Sequence, residues 1–244
     1  MTKMIFFDNS YHISRKKPFQ ENCLVERDII VKSFDFASEM AFGSGFHRNH
    51  RSGGDKKRNP LEIFFNTFQG KMGEFIVRDE FVNKKIDCSE VDINIFGKGI
   101  WDNGDLIINE KKICIKSMAF FSNLLLLEKN DWDENGLYLQ NTDNKVKYDY
   151  FVAVRIKPNI KEIFTNVVAN FEKNEFSKIL DLAKFYYDIP GVMSSETLKH
   201  IIRKGYVIKK GNILNKKTIL DADNYYIQNG DLKDFELLIN RLTI

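Results

Sequence analysis

Long apolar runs are missing from this 244-residue sequence. No stretch approaches the roughly 18 apolar residues that span a bilayer, and the opening MTKMIFFDNS lacks the basic-then-apolar order of a secretory signal. A soluble, cytoplasmic protein is expected. Cysteine is scarce: Cys23, Cys88 and Cys114 lie far apart, which excludes a disulfide framework and a four-thiolate zinc site and fits a reducing compartment. Net charge is also small, +3, because 37 Lys and Arg nearly balance 34 Asp and Glu. Bulk charge therefore does not establish a nucleic-acid ligand, and local charge has to decide. Proline is rare at four residues, while 21 Phe and 9 Tyr carry more apolar area than a disordered chain does. One substantial core with an appended region is the expected organisation.

Along the chain, residues 24–36 read as one strand or a short helix. Residues 43–60, GSGFHRNHRSGGDKKRNP, contain four glycines and only one acid, with no apolar periodicity, which predicts a mobile basic loop. Pro60 then precedes Leu61, Phe64, Phe65, Phe68, Met72, Phe75, Ile76 and Phe81, whose spacing predicts a long amphipathic helix to Val82. Gly70 and Gly73 weaken it by roughly 1 kcal/mol each against Ala, which calls for compensation by close approach of another backbone. A short strand is expected at residues 91–96. Leu106–Ile108 and Ile113–Ile115 form a hairpin around the polar turn 109–112, and Tyr148–Ile156 extends the same sheet. Residues 119–127 fit a helix or a further strand. Helical periodicity covers residues 159–185, Pro190-Gly191 reads as a turn, and Ser194 or Ser195 caps a helix holding Leu198, Ile201 and Ile202. Small β elements follow.

Chemistry concentrates in the hairpin. Asp105 begins one strand and Lys116 ends its antiparallel neighbour, so the turn carries acid and ammonium to the same end. A carboxylate there suits a divalent cation, and the ammonium suits a phosphate or a water. Phosphodiester hydrolysis needs that combination of metal, positive charge and an oriented nucleophile. Lys116 follows Ile113-Cys114-Ile115, so its stem leaves an apolar strand; such a lysine is costly unless its head meets an anion. An acid and a lysine on a hairpin are, by spacing alone, more often an ordinary surface pair.

Over Gly104-Asp105, the hairpin and Cys114-Ile115-Lys116-Ser117, the sequence resembles the PD-(D/E)XK nuclease superfamily, and within it the type II restriction endonucleases. The resemblance covers about residues 61–156. It implies an α/β fold: a restriction-endonuclease-like core with a mixed central sheet flanked by helices, plus a C-terminal α+β region. It further implies Mg2+-dependent, site-specific cleavage of double-stranded DNA by a homodimer. Asp105 would bind the metal, with Ile115 adding its backbone oxygen, and Lys116 would position or activate water. Where the family carries Asp or Glu this chain has Cys114, and a thiol is a poor ligand for a hard cation. Glu74, Asp102 and Glu128 are the candidates for the displaced carboxylate, with Glu74 favoured because its helix is the one the family packs on this hairpin.

The basic loop is the second functional signal. Arg48, Arg51, Lys56, Lys57 and Arg58, together with His47, Asn49 and His50, are expected to meet phosphates and base edges. Ser117 is a further expected DNA contact. Late in the chain Lys216 and Lys217 belong to a Lys and Asn cluster expected to contact DNA or a second subunit. The resulting division is residues 1–60 as an N-terminal region with the DNA-contacting loop 43–60, residues 61–158 as the catalytic core, and residues 159–244 for target recognition or dimer contacts, packed on the core. Two rival readings share these residues: a structure-directed or repair nuclease of the same fold, and a DNA-binding module without a metal site, for which Cys114 is the argument.

Overall fold

The computed structural model describes residues 1–43, 59–95, 105–140, 145–164 and 173–243. In chain order the elements are β1 (Ile5–Phe7), β2 (Ser10–His12), β3 (Cys23–Leu24), α1 (Arg27–Phe42), α2 (Pro60–Asn83), β4 (Leu106–Ile108), β5 (Lys111–Ala119), β6 (Leu124–Glu128) and β7 (Tyr150–Lys157). They continue with α3 (Ile160–Phe164), α4 (Lys173–Leu182), β8 (Tyr186–Ser194), α5 (Ser195–Lys204), β9 (Val207–Ile208), β10 (Ile213–Leu214), β11 (Thr218–Ile219), β12 (Asn224–Gln228) and α6 (Phe235–Leu242). This is a mixed α/β protein. Among the described residues no helix is long and apolar enough to cross a membrane.

The main sheet has the order β3-β8-β7-β5-β4, with β5 and β7 parallel and the other neighbours antiparallel. Side-chain alternation divides its two faces. Ile113, Ile115, Val152, Val154 and Ile156 point into one core with α1 and α2. Cys114, Phe151, Ala153 and Met193 point into a second core with the small sheet β6-β12-β9 and α5. A third sheet, β1-β2-β10-β11, joins the chain's beginning to its later part.

Helix α2 starts as its sequence dictates. Asn59 accepts the N–H of Glu62 at 2.8 Å, and Pro60 occupies the first turn, where its missing N–H costs nothing. Buried Phe64 and Phe68 stack at 5.8 Å, and Phe164 and Phe176 stack against the same cluster at 4.5 Å. Gly73 is where α2 meets the sheet: a Cβ there would stand 3.0 Å from Ser117 Cβ. At Gly70 there is open space instead, so close approach explains only one of the two glycines.

Some local expectations are corrected, and alternatives left open elsewhere are resolved. The hairpin turn is two residues, Asn109 and Glu110, both at positive φ, so Lys111 and Lys112 belong to β5. Residues 91–95 carry no strand. Pro190 and Gly191 lie inside β8, where Gly191 is required because the Lys233 backbone crosses at a distance a Cβ would occupy. Residues 27–42 form a helix, and β6 is a strand of the second sheet. Ser194 is the cap of α5, accepting the N–H of Thr197.

Candidate active site

Asp105 immediately precedes β4, and the register Leu106 to Ile113 sets it opposite Cys114. Its Oδ2 accepts the Ile115 N–H at 2.5 Å, so a side-chain carboxylate closes the β4–β5 ladder. The acid is thereby tied to the strand that carries the lysine. Lys116 lies two positions after Cys114 and so shares its face of the sheet. On that row the neighbours are small: Lys116 pairs with Ala153, and Ala153 with Gly191. Without bulk on either strand, the long lysine stem fits over the sheet.

Asp105, Cys114 and Lys116 are near enough for each to bear on the charge of the others. Burial pushes the Cys114 thiol up to about 12; Lys116 opposes the rise and Asp105 adds to it. Cys114 is therefore a neutral thiol near pH 7. Lys116 is held above its ordinary value, first by the Cys114 sulfur once that thiol ionises at high pH, and then by Asp105, Tyr138 and Asp131, all against burial. The carboxylate among these that also holds the β5 backbone is Asp105.

Asp131 and Tyr138 were not legible as site residues. They come from the segment after β6, where Trp132 packs on Tyr138 at 5.2 Å and on Phe151 at 5.3 Å, folding it over this face. No spacing relative to Asp105 or Lys116 signals them.

The remaining candidates are dispersed. Glu74 sits on α2, on the opposite face of the sheet, and its carboxylate takes Lys71 Nζ at 2.5 Å while Lys71 also donates to the Asp92 carbonyl. Ser117 points to that same face, against Gly73. Glu128 ends β6 and pairs with Asn224 in the second sheet. Lys216 Nζ reaches Asp8 Oδ2 at 2.5 Å, so its charge is partnered within the chain, whereas Lys217 is exposed beside it. Asp102 and the loop residues His47, Arg48, Asn49, His50, Arg51, Lys56, Lys57 and Arg58 lie outside the described residues. Among the described residues no group of three or more His, Cys, Asp or Glu is arranged to hold a metal ion.

Compared with known proteins, the chain matches no family model, no curated protein and no solved structure.

Proposed function

We propose that this chain is a metal-dependent endonuclease that cuts double-stranded DNA at a specific site, a type II restriction enzyme of the PD-(D/E)XK kind acting as a homodimer. One observation carries the reading: Asp105, anchored on the Ile115 N–H, and Lys116 stand on neighbouring strands of the β4–β5 hairpin and on the same face of the sheet, near enough for the carboxylate charge to act on the ammonium. An anion and a cation share the open end of the hairpin, the combination that phosphodiester hydrolysis requires.

Mg2+ is bound by one or two carboxylates and completes its shell with water and phosphate oxygens. Asp105 fits that mode; Cys114, protonated and soft, does not. In this reading the Ile115 carbonyl would be the further ligand within the hairpin, Glu74 being held on the other face of the sheet by Lys71, and a bound metal would acidify a water and neutralise phosphate charge. Asp105, fixed to β5 through its bond to the Ile115 backbone, would hold that metal. Lys116 orients the attacking water and offers positive charge to the phosphorus centre as negative charge develops. Ala153 and Gly191 leave room for its stem on that row of the sheet.

Digestion of a mapped phage DNA with Mg2+ and with EDTA tests this. Discrete bands with Mg2+ alone are expected, and Lys116→Ala is expected to cost roughly 10²–10³ in rate while DNA binding persists. Equal cleavage by variant and parent removes the role assigned to Lys116. A panel of duplex, branched and nicked substrates separates site-specific from structure-directed cutting. The thiol at position 114 favours one second reading, a DNA-binding module without catalysis. Calorimetric titration of Mg2+ into the parent and Asp105→Ala decides: identical heats favour the module.

A further inference from the structure

Away from Lys116, a cavity of about 410 Å3 opens between the start of β7, the β8–α5 junction and α6. Its polar rim is Tyr150, Ser194, Thr197, Lys233 and Arg241. Its floor is apolar and includes the buried Leu238. Strand pairing assembles it. Tyr150 pairs with Ser194 across β7 and β8. Val192 and Lys233 exchange both backbone hydrogen bonds, at 2.8 and 3.0 Å, which carries Lys233 over β8. Helix α6 then returns so that Arg241 Nη1 donates to Tyr150 Oη at 3.3 Å.

Of the acids next in sequence to the lining residues, Glu196 pairs with Lys199, Asp234 with Lys17 and Glu236 with Lys84, while Asp149 accepts the Lys112 N–H. Among the described residues neither Lys233 nor Arg241 has a carboxylate partner. The ten-residue helix α5 also begins here, behind its Ser194 cap, and adds the positive end of its dipole. Two cations, three hydroxyls and a helix start thus line one concavity whose base is apolar.

We propose that this cavity binds a small phosphate monoester with a flat apolar body, of the nucleoside monophosphate class. Arg241 presents a planar fork and Lys233 a compact charge, the pair that grips a phosphate dianion. The Tyr150 ring and the apolar floor take the body, and the volume falls within the roughly 300–1,000 Å3 of small-molecule sites. The site is distinct from the Asp105–Lys116 pair: Tyr150 neighbours Ile113 at the start of the β5–β7 pairing, whereas Lys116 neighbours Ala153 further along. The proposal therefore does not rest on the nuclease reading.

Isothermal titration calorimetry of the full chain with adenosine 5′-monophosphate tests it, with adenosine and inorganic phosphate as comparison probes. Binding of the nucleotide is expected to be tighter than that of either fragment. Arg241→Gln and Lys233→Gln are each expected to weaken it about tenfold. Both side chains are exposed, so the fold is retained, which thermal melts verify. Lys116→Ala is expected to bind the nucleotide as the parent does. Absence of heat up to about 1 mM nucleotide overturns the proposal. So does affinity unchanged in the double variant, or adenosine binding as tightly as its monophosphate.

Discussion

Asp105 has a structural task as well as the proposed chemical one. Its Oδ2 satisfies the N–H of buried Ile115, and an orphaned donor there costs about 1–3 kcal/mol. Asp105→Ala is therefore expected to lower stability by that amount, while Asp105→Asn, which keeps a side-chain oxygen, is expected to lose less and still lose metal affinity. Urea denaturation of the two variants checks this; equal midpoints would show that the bond to Ile115 contributes nothing. Cys114 differs from Cys23 in the same residue-level way. Burial and a thiol pushed up to about 12 make Cys114 inert, whereas Cys23 is exposed. Mass spectrometry after iodoacetamide treatment at about pH 8, near the free-cysteine pKa, is expected to find label on Cys23 and none on Cys114 in the folded protein.

Among the elements, α2 shows how one sequence feature has two meanings. Gly70 and Gly73 both interrupt a helical pattern, but only Gly73 touches another element. Gly70→Ala is expected to stabilise by about 0.4–1 kcal/mol, since the added methyl meets nothing and the unfolded chain loses freedom. Gly73→Ala is expected to destabilise by about 1–3 kcal/mol, because its methyl is pressed against Ser117 on a strand that cannot easily yield. Melting temperatures moving in the same direction in both variants would contradict this. The β9–β12 connection holds a titrating anchor. Asp223 is lowered from its ordinary value, first by the Lys210 N–H and then by Lys209, against burial. A carboxylate depressed in the folded state contributes its stability above the unfolded value of about 3.9 and loses it as pH falls through the folded one. The melting-temperature gap between parent and Asp223→Ala is thus expected at pH 7 and is expected to shrink below about pH 4.

For the whole molecule, Arg155 is the residue that joins distant parts of the chain. Fully buried on β7, it pairs with Asp188 on β8 and donates to the carbonyls of Lys17, Pro18 and Ser122. One guanidinium thereby fastens the N-terminal segment to the central sheet. Removing one partner of a buried ion pair costs about 3–5 kcal/mol because the other charge stays buried. Arg155→Ala is expected to lose that much in chemical denaturation, and the Arg155→Ala, Asp188→Ala double variant is expected to lose less than the sum of the two singles. Additive losses would mean that the pair is not coupled.

Local pattern was enough to determine α2, the β4–β5 hairpin, strand β7 and a serine cap at 194 or 195, because each depends on periodicity, turn chemistry or spacing within a few residues. The β8 strand through Pro190-Gly191 escaped that logic, since it is held by pairing with β7 and by the Lys233 backbone, which crosses it from some forty positions later. The same holds for Asp131 and Tyr138 beside Lys116, and for the Arg241 and Tyr150 cavity. Tertiary structure decided, too, which face each candidate occupies: alternation along β5 sends Lys116 one way and Ser117, toward the Glu74 helix, the other. A one-dimensional pattern records period and order, whereas packing of remote segments sets which side chains share a space.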